Sequence, residues 1–323
     1  MNMTDFISLR DLSPSEVEFL LLLGRRIKAR PSTYSTTLQG KTLAMIFEKP
    51  SLRTRVSFEV GIKQLGGNSI YLSPVDINLG KRESIHDVAK TLERMVQGIM
   101  IRTFAHERAE ELAFYAAVPV INGLSDFSHP CQAMGDFLTM WEVKGRLENL
   151  KLAYLGDGNN VAHSLMFGAA QLGLALQVAT PQGFEPKPEA FVWAQRRASQ
   201  TGGAILLTHD PKSAVADADI VYTDVWASMG QESEAVNRAP LFRPFQVNKE
   251  LFALAKRDAL FMHCLPAHRG EEETAEVIDS GHSVVFQQAE NRLHVQKAIM
   301  IELMKSVPVE AIRPAQEAEL VGV

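Results

Sequence analysis

Short apolar runs alternate with longer amphipathic segments along almost the whole chain. The runs are rich in Val, Ile and Leu, and in order they are TLAMIF, SIYL, GIMIR, VPVIN, LKLAYLG, ALQVAT, AILLT, DIVYTDVW, ALFMHCLP and SVVF. Strands that are apolar without alternation are typical of parallel sheets with helices on both faces. The pattern therefore predicts an α/β fold of doubly wound parallel sheets.

The length of 323 residues suits two domains of medium size better than one large domain. The polar stretch WEVKGRLENLK, at residues 141–151, is the clearest break in the pattern, and we place a boundary there. The first domain is then expected over residues 1–145 and the second over residues 146–290. A long amphipathic helix is expected within the remaining segment, residues 291–323.

Composition narrows the classes of function. A net charge of −5 disfavours non-specific binding to nucleic acid, which needs a basic surface. No run approaches the ~18 apolar residues of a membrane-spanning helix, and the first ten residues lack the apolar core of a signal peptide. The two cysteines, Cys131 and Cys264, are far apart, which fits a reducing compartment better than a disulfide framework. We expect a cytoplasmic protein with no nucleic-acid or membrane partner.

The pentapeptide SLRTR follows the first apolar run and begins a helical pattern. A helix N-terminus offers unpaired N–H groups and the positive end of the helix dipole, which together suit a phosphate group. Ser51, Arg53 and Thr54 would add two hydroxyls and a guanidinium to that site. Arg55 lies four residues before Glu59 and is expected to pair with it. The alternative is a solvated face on which Ser51 only caps the helix.

Polar clusters follow several other strands, and ligands of open α/β sheets bind beyond the carboxyl ends of the strands. Arg102 ends the run GIMIR. His129 and Gln132, in HPCQ, offer neutral hydrogen-bond donors to a carbonyl oxygen. Asp224, in DVWASMGQE, offers a carboxylate to a substrate ammonium, and Cys264 follows the run ALFMH. These clusters predict one active site between two domains.

The segment LGDGNNVAH partly matches a dinucleotide-binding fingerprint. Gly156 and Gly158 fit, but Val161 stands at the third glycine position. Thr180 ends the next strand, where an acid would bind the ribose. The asparagines at 159–160 are better suited to a small polar ligand than to a dinucleotide.

His263, Cys264 and His268 raise the question of a metal or of a cysteine nucleophile. Adjacent residues on a strand point to opposite faces, so His263 is poorly placed to activate Cys264. The spacing of the three residues does not match a structural zinc site. We therefore expect no metal and no cofactor.

Six motifs in order resemble the ornithine carbamoyltransferases, and they are FEKPSLRTRVSFE, HPCQ, GDGNN, DVWASMG, HCLPAHRGEE and AENRLHVQKA. The likeness covers nearly the whole chain. It implies a first domain that binds carbamoyl phosphate, a second that binds L-ornithine, and a C-terminal helix that crosses back to the first domain. It also implies a homotrimer, or a multiple of it, that makes citrulline and phosphate without metal or cofactor.

The resemblance also assigns roles to individual residues. The carbamoyl phosphate site is expected to contain Ser51, Leu52, Arg53, Thr54, Asn78, Arg102, His129, Gln132, Cys264, Leu265 and Arg292. The ornithine site is expected to contain Asn160, Asp224, Ser228 and Met229. Arg102, His129 and Cys264 are the expected catalytic residues, the first two as stabilisers of the developing oxyanion.

Two residues depart from the family pattern. Leu52 stands where many relatives have Thr, a change that would spare a backbone contact with the phosphate. Asn78 stands where Gln is expected in a loop that reaches the phosphate site from a neighbouring subunit, and Asn is one methylene shorter.

Three alternatives stay open at this point. The acceptor could be another amine, such as putrescine or N-acetylornithine, although the SMG motif favours an acceptor with free α-amino and carboxylate groups. The chain could instead be a dinucleotide-dependent oxidoreductase or an amino-acid-binding module without catalysis. The resemblance fits both arginine biosynthesis and, in reverse, arginine breakdown.

Overall fold

The computed structural model describes residues 3–227 and 235–305. Its strands are β1 (Thr42–Phe47), β2 (Asn68–Leu72), β3 (Gly98–Arg102), β4 (Val120–Leu124), β5 (Lys151–Leu155), β6 (Ala175–Ala179), β7 (Ala204–Thr208), β8 (Ile220–Thr223) and β9 (Leu260–His263). Its helices are α1 (Pro14–Ala29), α2 (Leu52–Gln64), α3 (Pro74–Ile77), α4 (Ile85–Leu92), α5 (His106–Tyr115), α6 (Pro130–Lys144), α7 (Asn160–Gln171), α8 (Pro188–Thr201), α9 (Pro211–Val215), α10 (Ala235–Phe242), α11 (Lys249–Phe252), α12 (Ala275–Ile278) and α13 (Val285–Met304). Within these ranges no helix has the length and apolar composition needed to cross a membrane.

The strands form two sheets, one in each half of the chain. The first sheet has the order β2-β1-β3-β4 and the second the order β7-β6-β5-β8-β9. Every strand pair in both sheets is parallel. The prediction of doubly wound parallel sheets is confirmed.

Side chains of β1 show how the first sheet is covered on both faces. Leu43, Met45 and Phe47 face a core that also contains apolar residues of α1, α2, α6 and α13. Ala44 and Ile46 face a second core, against α4 and α5. This two-sided burial explains why the strands are apolar at successive positions.

The two sheets share one continuous core. The cluster beneath the first sheet extends through α6 and α7 to inward-facing residues of the second sheet, such as Tyr154 and Tyr222. Close packing at this junction depends on Gly168 of α7, because a Cβ there would lie 2.1 Å from Cε2 of the Phe137 ring. The carboxyl ends of both sheets are thereby held in a fixed relation.

The C-terminal helix α13 packs against α1, α2 and α6, so it returns to the first half of the chain as the resemblance implies. It begins at Val285, within the run SVVF, which the sequence analysis takes as a strand. That prediction is wrong: Ser283 forms only an isolated bridge with Phe261. The β-branched residues of the run are typical of a strand. From Val285 onward, however, the buried positions follow the period of a helix.

Candidate active site

Helix α2 begins directly after β1 and carries the SLRTR motif. Ser51 is its N-cap, and Ser51 Oγ accepts a hydrogen bond from the backbone N–H of Thr54 at 3.2 Å. The side chain of Leu52 is 74% exposed, whereas Thr54 is fully buried. The cap leaves the N–H groups of Leu52 and Arg53 free at the carboxyl end of the first sheet, where they can bind an anion.

Thr54 brings together two arginines from distant parts of the chain. Arg292, on α13, donates from Nη2 to Thr54 Oγ1 at 2.9 Å, and Arg102, at the end of β3, donates from Nη1 at 3.5 Å. Both side chains are buried, and the Nε atom of each has no partner. Half-buried Arg53 lies close enough for its charge to act on both of these arginines, so three guanidinium groups interact in one region.

The electrostatics of this cluster indicate an anion site. Burial lowers the pKa of Arg102 to about 9, and the charges of Arg292 and Arg53 act in the same direction. Burial also lowers the pKa of Arg53 and of Arg292. Within the described part of the chain, no carboxylate lies within ion-pair distance of these three residues. Buried cations without a counter-ion are unfavourable unless a ligand supplies the negative charge.

His129, the N-cap of α6, adds a neutral group to the cluster. Its backbone N–H donates to Ser164 Oγ at 2.7 Å, and its ring Nδ1 is buried without a partner. Burial, followed by the charges of Arg292, Arg102 and Arg53, holds the pKa of His129 well below its usual value. The imidazole is therefore uncharged at neutral pH and can donate one ring N–H to a ligand.

Gln132 presents its amide oxygen as a free acceptor. Its Nε2 donates to Asp136 Oδ1 at 2.8 Å, while its Oε1 is buried without a partner. Asp136 thus takes one of the two N–H groups with which Gln132 is expected to reach a carbonyl oxygen. The buried Oε1 can in addition accept an N–H of a ligand.

The second sheet contributes a carboxylate and a thiol. Cys264, after β9, donates from Sγ to Asp224 Oδ1 at 2.9 Å, and Asn159 donates from Nδ2 to Asp224 Oδ2 at 2.8 Å. Burial, followed by the charge of Asp224, raises the pKa of the Cys264 thiol well above its usual value. The thiol is protonated at neutral pH, so it is not the thiolate that nucleophilic catalysis requires.

Residues of the two sheets lie close enough for their charges to interact. The pKa of Arg53, lowered chiefly by burial, is raised in part by Cys264 and Asp224. Asn160, at the start of α7, donates from Nδ2 to the backbone oxygen of Ser125 at 2.5 Å and so joins the two halves of the chain. Guanidinium groups thus line one side of a single site, and a carboxylate and a thiol line the other.

Comparison with known proteins identifies the family. The family model described as the carbamoyl-P binding domain of aspartate/ornithine carbamoyltransferase matches residues 4–142. The model of the Asp/Orn binding domain matches residues 148–303. The chain belongs to the aspartate/ornithine carbamoyltransferase family.

Relatives within this family are close. The chain is 57% identical to the ornithine carbamoyltransferase of Thermococcus kodakarensis over 307 residues, which cover 94% of this chain and 98% of that protein. It is 54% identical to the ornithine carbamoyltransferase of Bacillus subtilis over 296 residues, which cover 92% of each. The solved structure of the Pyrococcus furiosus ornithine carbamoyltransferase matches with a TM-score of 0.91 at 54% identity, covering 94% of this chain and 98% of that one. The resemblance inferred from six motifs is confirmed.

The remaining residues expected in a carbamoyltransferase site lie as follows. Leu265 adopts a left-handed conformation with φ of 59°, and its N–H donates to His263 Nδ1 at 2.8 Å. Asn78 is exposed in the turn after α3, and no hydrogen bond between described residues joins it to the arginine cluster. Ser228 and Met229 lie outside the residues that the structure describes.

His263 bears on whether a metal fits here. Its Nδ1 accepts the N–H of Leu265, so the neutral ring carries its proton on Nε2, which lies 3.3 Å from Glu272 Oε1. A metal-bound histidine normally binds through one nitrogen and donates from the other. In His263 the lone pair of Nδ1 already accepts the N–H of Leu265 and Nε2 faces a carboxylate, which disfavours a metal in both clusters of potential ligands that include it.

Two buried polar residues near the site, Lys49 and Asp136, were not predicted from the sequence. Lys49 is 4% exposed, donates from Nζ to Asp126 Oδ1 at 2.6 Å and lies 4.2 Å from the centroid of the Phe104 ring. Its sequence signal is a lysine between a strand end and an anion motif. Asp136 is fully buried, and its signal is an acid within the otherwise apolar stretch AMGDFLTM.

Beneath the site, Glu272 and Glu273 are both buried next to His263. Neither carboxyl oxygen of Glu273 has a hydrogen-bond partner. Burial, followed by the negative charge of Glu272, raises the pKa of Glu273 above its ordinary 4.5. Glu273 is therefore held in its protonated form at pH values where an exposed glutamate is ionised.

This raised pKa predicts a loss of stability at alkaline pH. The folded protein holds a proton on Glu273 that the unfolded chain releases, so stability present at low pH is lost as pH rises through the raised pKa. Glu273→Gln cannot ionise and should lose less stability than wild type between about pH 5 and about pH 9. Melting temperatures across this range provide the measurement. Glu271→Gln, at the exposed neighbour, should behave as wild type, and parallel curves for wild type and Glu273→Gln would contradict the assignment.

Proposed function

We propose that the protein transfers the carbamoyl group of carbamoyl phosphate to the side-chain amine of L-ornithine, giving L-citrulline and phosphate. The observation that carries the proposal is the pair of buried guanidiniums bonded to Thr54, with the charge of Arg53 close by. Among the described residues none of the three has a carboxylate partner, and Asp224 lies on the other side of the site. A carbamoyl phosphate dianion supplies the missing charge. Family membership and the names of the relatives support the same reaction.

The phosphate is proposed to bind at the N-terminus of α2. The backbone N–H groups of Leu52 and Arg53 are the proposed donors there, with the hydroxyl of the N-cap Ser51, and the guanidiniums of Arg53 and Arg292 neutralise the charge. The backbone of Leu265, beside Cys264, and Asn78 from a neighbouring subunit complete the proposed set. The departure of Leu52 from the family's Thr costs little, because its exposed side chain leaves the N–H contact intact.

The carbamoyl group is proposed to lie between Arg102, His129 and Gln132. Arg102 and His129 are donors and bind the carbonyl oxygen, where negative charge develops during attack. Gln132 presents its free Oε1 to the carbamoyl NH₂. Both polar ends of this small group thereby find partners of the correct polarity.

Ornithine is proposed to bind on the side of the second sheet. Asp224 accepts hydrogen bonds from Cys264 and Asn159 and, as a carboxylate with further acceptor capacity, can pair with the α-ammonium. Asn160, Ser228 and Met229 are the other proposed contacts. Pairing of Asp224 with a free α-ammonium favours ornithine over N-acetylornithine, whereas putrescine differs from ornithine in lacking the α-carboxylate.

In the proposed reaction the neutral side-chain amine forms a C–N bond with the carbonyl carbon, and the C–O bond to phosphate breaks. The amine must also lose a proton. The Cys264 thiol already carries its proton, because its pKa is raised by burial and by Asp224. The leaving phosphate is therefore the proposed proton acceptor, and Cys264 positions the amine.

We further propose a homotrimer, or a multiple of it, in the cytoplasm and with a role in arginine biosynthesis. Asn78 and the 88% exposed Val75 project from the surface, as a segment that reaches a neighbouring subunit would. Both cysteines are free, which fits a reducing compartment. One relative, from Pyrococcus furiosus, is named as an anabolic enzyme. The proposed domains remain residues 1–145 and 146–290, followed by the segment 291–323.

The function is tested with a panel of acceptors. Purified protein and carbamoyl phosphate are mixed with ornithine, putrescine, N-acetylornithine or aspartate, and the carbamoylated product is quantified. We expect turnover with ornithine at a kcat/KM well above that of the other three, because only ornithine offers a side-chain amine together with a free α-ammonium and carboxylate. Equal or better turnover of another amine would refute the proposed acceptor, and no turnover of any would refute the reaction.

Arg53→Ala is expected to weaken carbamoyl phosphate binding by about tenfold to a hundredfold, the usual range for a lost hydrogen bond to a charged group. The melting temperature of the unliganded protein should not fall, because the change removes one of three like charges. Calorimetry and thermal unfolding measure the two effects. Arg55→Ala is the matched control, since Arg55 pairs with Glu59 at 2.9 Å on the exposed face of the same helix. Equal affinity of both variants for carbamoyl phosphate would contradict the anion site and would favour the alternative, in which SLRTR is a solvated face of the helix.

Cys264→Ser is expected to remain active. A positional role should cost less than the about 10² to 10⁴ in rate that follows loss of a proton-transfer group. The rise in KM should be larger for ornithine than for carbamoyl phosphate, because Cys264 contacts Asp224. Steady-state kinetics provide the measurement. Detection by mass spectrometry of a carbamoylated Cys264 that goes on to form citrulline would falsify direct attack.

A further inference from the structure

We infer that Asp136 is a positioning residue that fixes the orientation of the Gln132 amide. Through that amide it selects an acyl phosphate that carries NH₂ over one that carries CH₃. The inference rests on the proposed function, because it concerns the carbamoyl group of the proposed donor.

Asp136 is held by three elements of the fold. It lies on α6, one helical turn after Gln132, and is completely buried. Its Oδ1 accepts one N–H from Gln132 Nε2 and another from Gln288 Nε2 of α13, both at 2.8 Å. Its Oδ2 accepts the O–H of Tyr222, on β8, at 3.1 Å. The carboxylate therefore has little freedom to move.

This arrangement determines the polarity of both amides. A carboxylate oxygen accepts hydrogen bonds and cannot donate them, so each glutamine must turn its nitrogen towards Asp136. The oxygen of Gln288 then accepts the backbone N–H of His263 at 3.0 Å. The oxygen of Gln132 is buried and has no partner. Reversing the Gln132 amide would place two acceptors against each other.

The orientation does not depend on whether Asp136 is ionised. Burial raises the pKa of Asp136 to about 7, against the opposing effects of hydrogen bonds from Gln132, Gln288 and Tyr222 and of the charge of Arg292. A proton on the carboxyl group belongs on Oδ2, because Oδ1 faces two N–H donors and the Tyr222 hydroxyl can accept as well as donate. Oδ1 therefore stays an acceptor in both states.

Gln132 is placed among groups proposed to bind the donor. His129 lies one turn before it on α6, and Gly135 follows on the next turn against Arg292, whose Cγ would lie 3.0 Å from a Cβ at that glycine. A carbamoyl NH₂ bound between these groups can donate to the free Oε1. A methyl group in its place would leave Oε1 buried and unpaired, which costs binding free energy.

Two stable phosphonates that differ only in this group make the comparison: phosphonoacetamide carries NH₂, and 2-oxopropylphosphonate carries CH₃. Each is measured as a competitive inhibitor against carbamoyl phosphate, and the ratio of the two inhibition constants is the readout. Both ligands carry the same phosphonate, so changes in net charge or in the phosphate site cancel in the ratio. Wild type is expected to favour the amide by about tenfold or more, as a single buried hydrogen bond predicts.

Four variants separate orientation from general damage. Asp136→Leu frees the amide to rotate, and the ratio should fall to that of the reference Gln132→Leu, which lacks the acceptor. Asp136→Asn retains an oxygen at the Oδ1 position and can turn its NH₂ towards Tyr222, so it should preserve the ratio. Tyr222→Phe, the matched control, removes a hydrogen bond of the same carboxylate without touching Oδ1 and should also preserve it. Asp136→Ser, too short to reach the amide, repeats the test should the leucine variant fail to fold.

The outcomes are distinct. An unchanged ratio in Asp136→Leu or Asp136→Ser overturns the inference, as does an equal loss in Asp136→Asn or Tyr222→Phe. Equal binding of both phosphonates by wild type also overturns it and leaves the proposed reaction standing. Failure of wild type to bind either phosphonate contradicts the proposed function itself.

Discussion

Three guanidinium groups whose charges interact, two of them bonded to one threonine hydroxyl, are the arrangement on which the rest of this structure depends. Arg102 and Arg292 both donate to Thr54 Oγ1, and Thr54 is itself fixed by the cap that Ser51 forms on α2. Like charges at this distance repel, and burial adds a desolvation cost to each. The folded chain carries this cost because two sheets and one continuous core hold the groups in place. A dianion reduces the repulsion between the guanidiniums and replaces the solvation that they have lost. The unliganded site is therefore electrostatically unfavourable, and binding of an anion stabilises it.

The position of Arg292 gives the return of α13 to the first half of the chain a role in the site. At Gly135 a Cβ would lie 3.2 Å from the backbone N of Arg292, so a side chain there would press on α13 and the glycine eases this close packing. One residue before Arg292, Asn291 accepts from Lys28 Nζ at 2.8 Å and donates to Thr139 Oγ1 at 2.9 Å. These contacts tie α13 to α1 and α6 next to the site. The helix thus adds a guanidinium from outside both sheets to the one that Arg102 supplies from a strand end.

The sequence predicts those parts that depend on local pattern. The parallel sheets follow from the two-sided apolar strands, and Ser51 and Thr54 follow from the position of a polar motif at a helix start. Features that depend on tertiary packing are not visible in the same way. SVVF has the composition of a strand. In the structure, however, it makes only one isolated bridge to the sheet, and its last two residues belong to α13. The orientation of the Gln132 amide depends on Asp136, four residues later on the same helix. Asp136 is buried because α13 and β8 pack against it, and this packing is not visible in the local sequence.

Charge is graded across the site, and the gradient decides which groups can act as acids or bases. On the side of the first sheet burial, reinforced by the positive charges of the arginines, lowers the pKa of His129 and keeps it neutral. On the side of the second sheet burial, reinforced by the carboxylate of Asp224 at 2.9 Å, raises the pKa of Cys264 and keeps its thiol protonated. The groups between the two extremes are therefore uncharged hydrogen-bonding partners and not proton carriers. In the proposed reaction the base that takes the amine's proton therefore arrives with the substrates, and the leaving phosphate has the negative charge that this role requires.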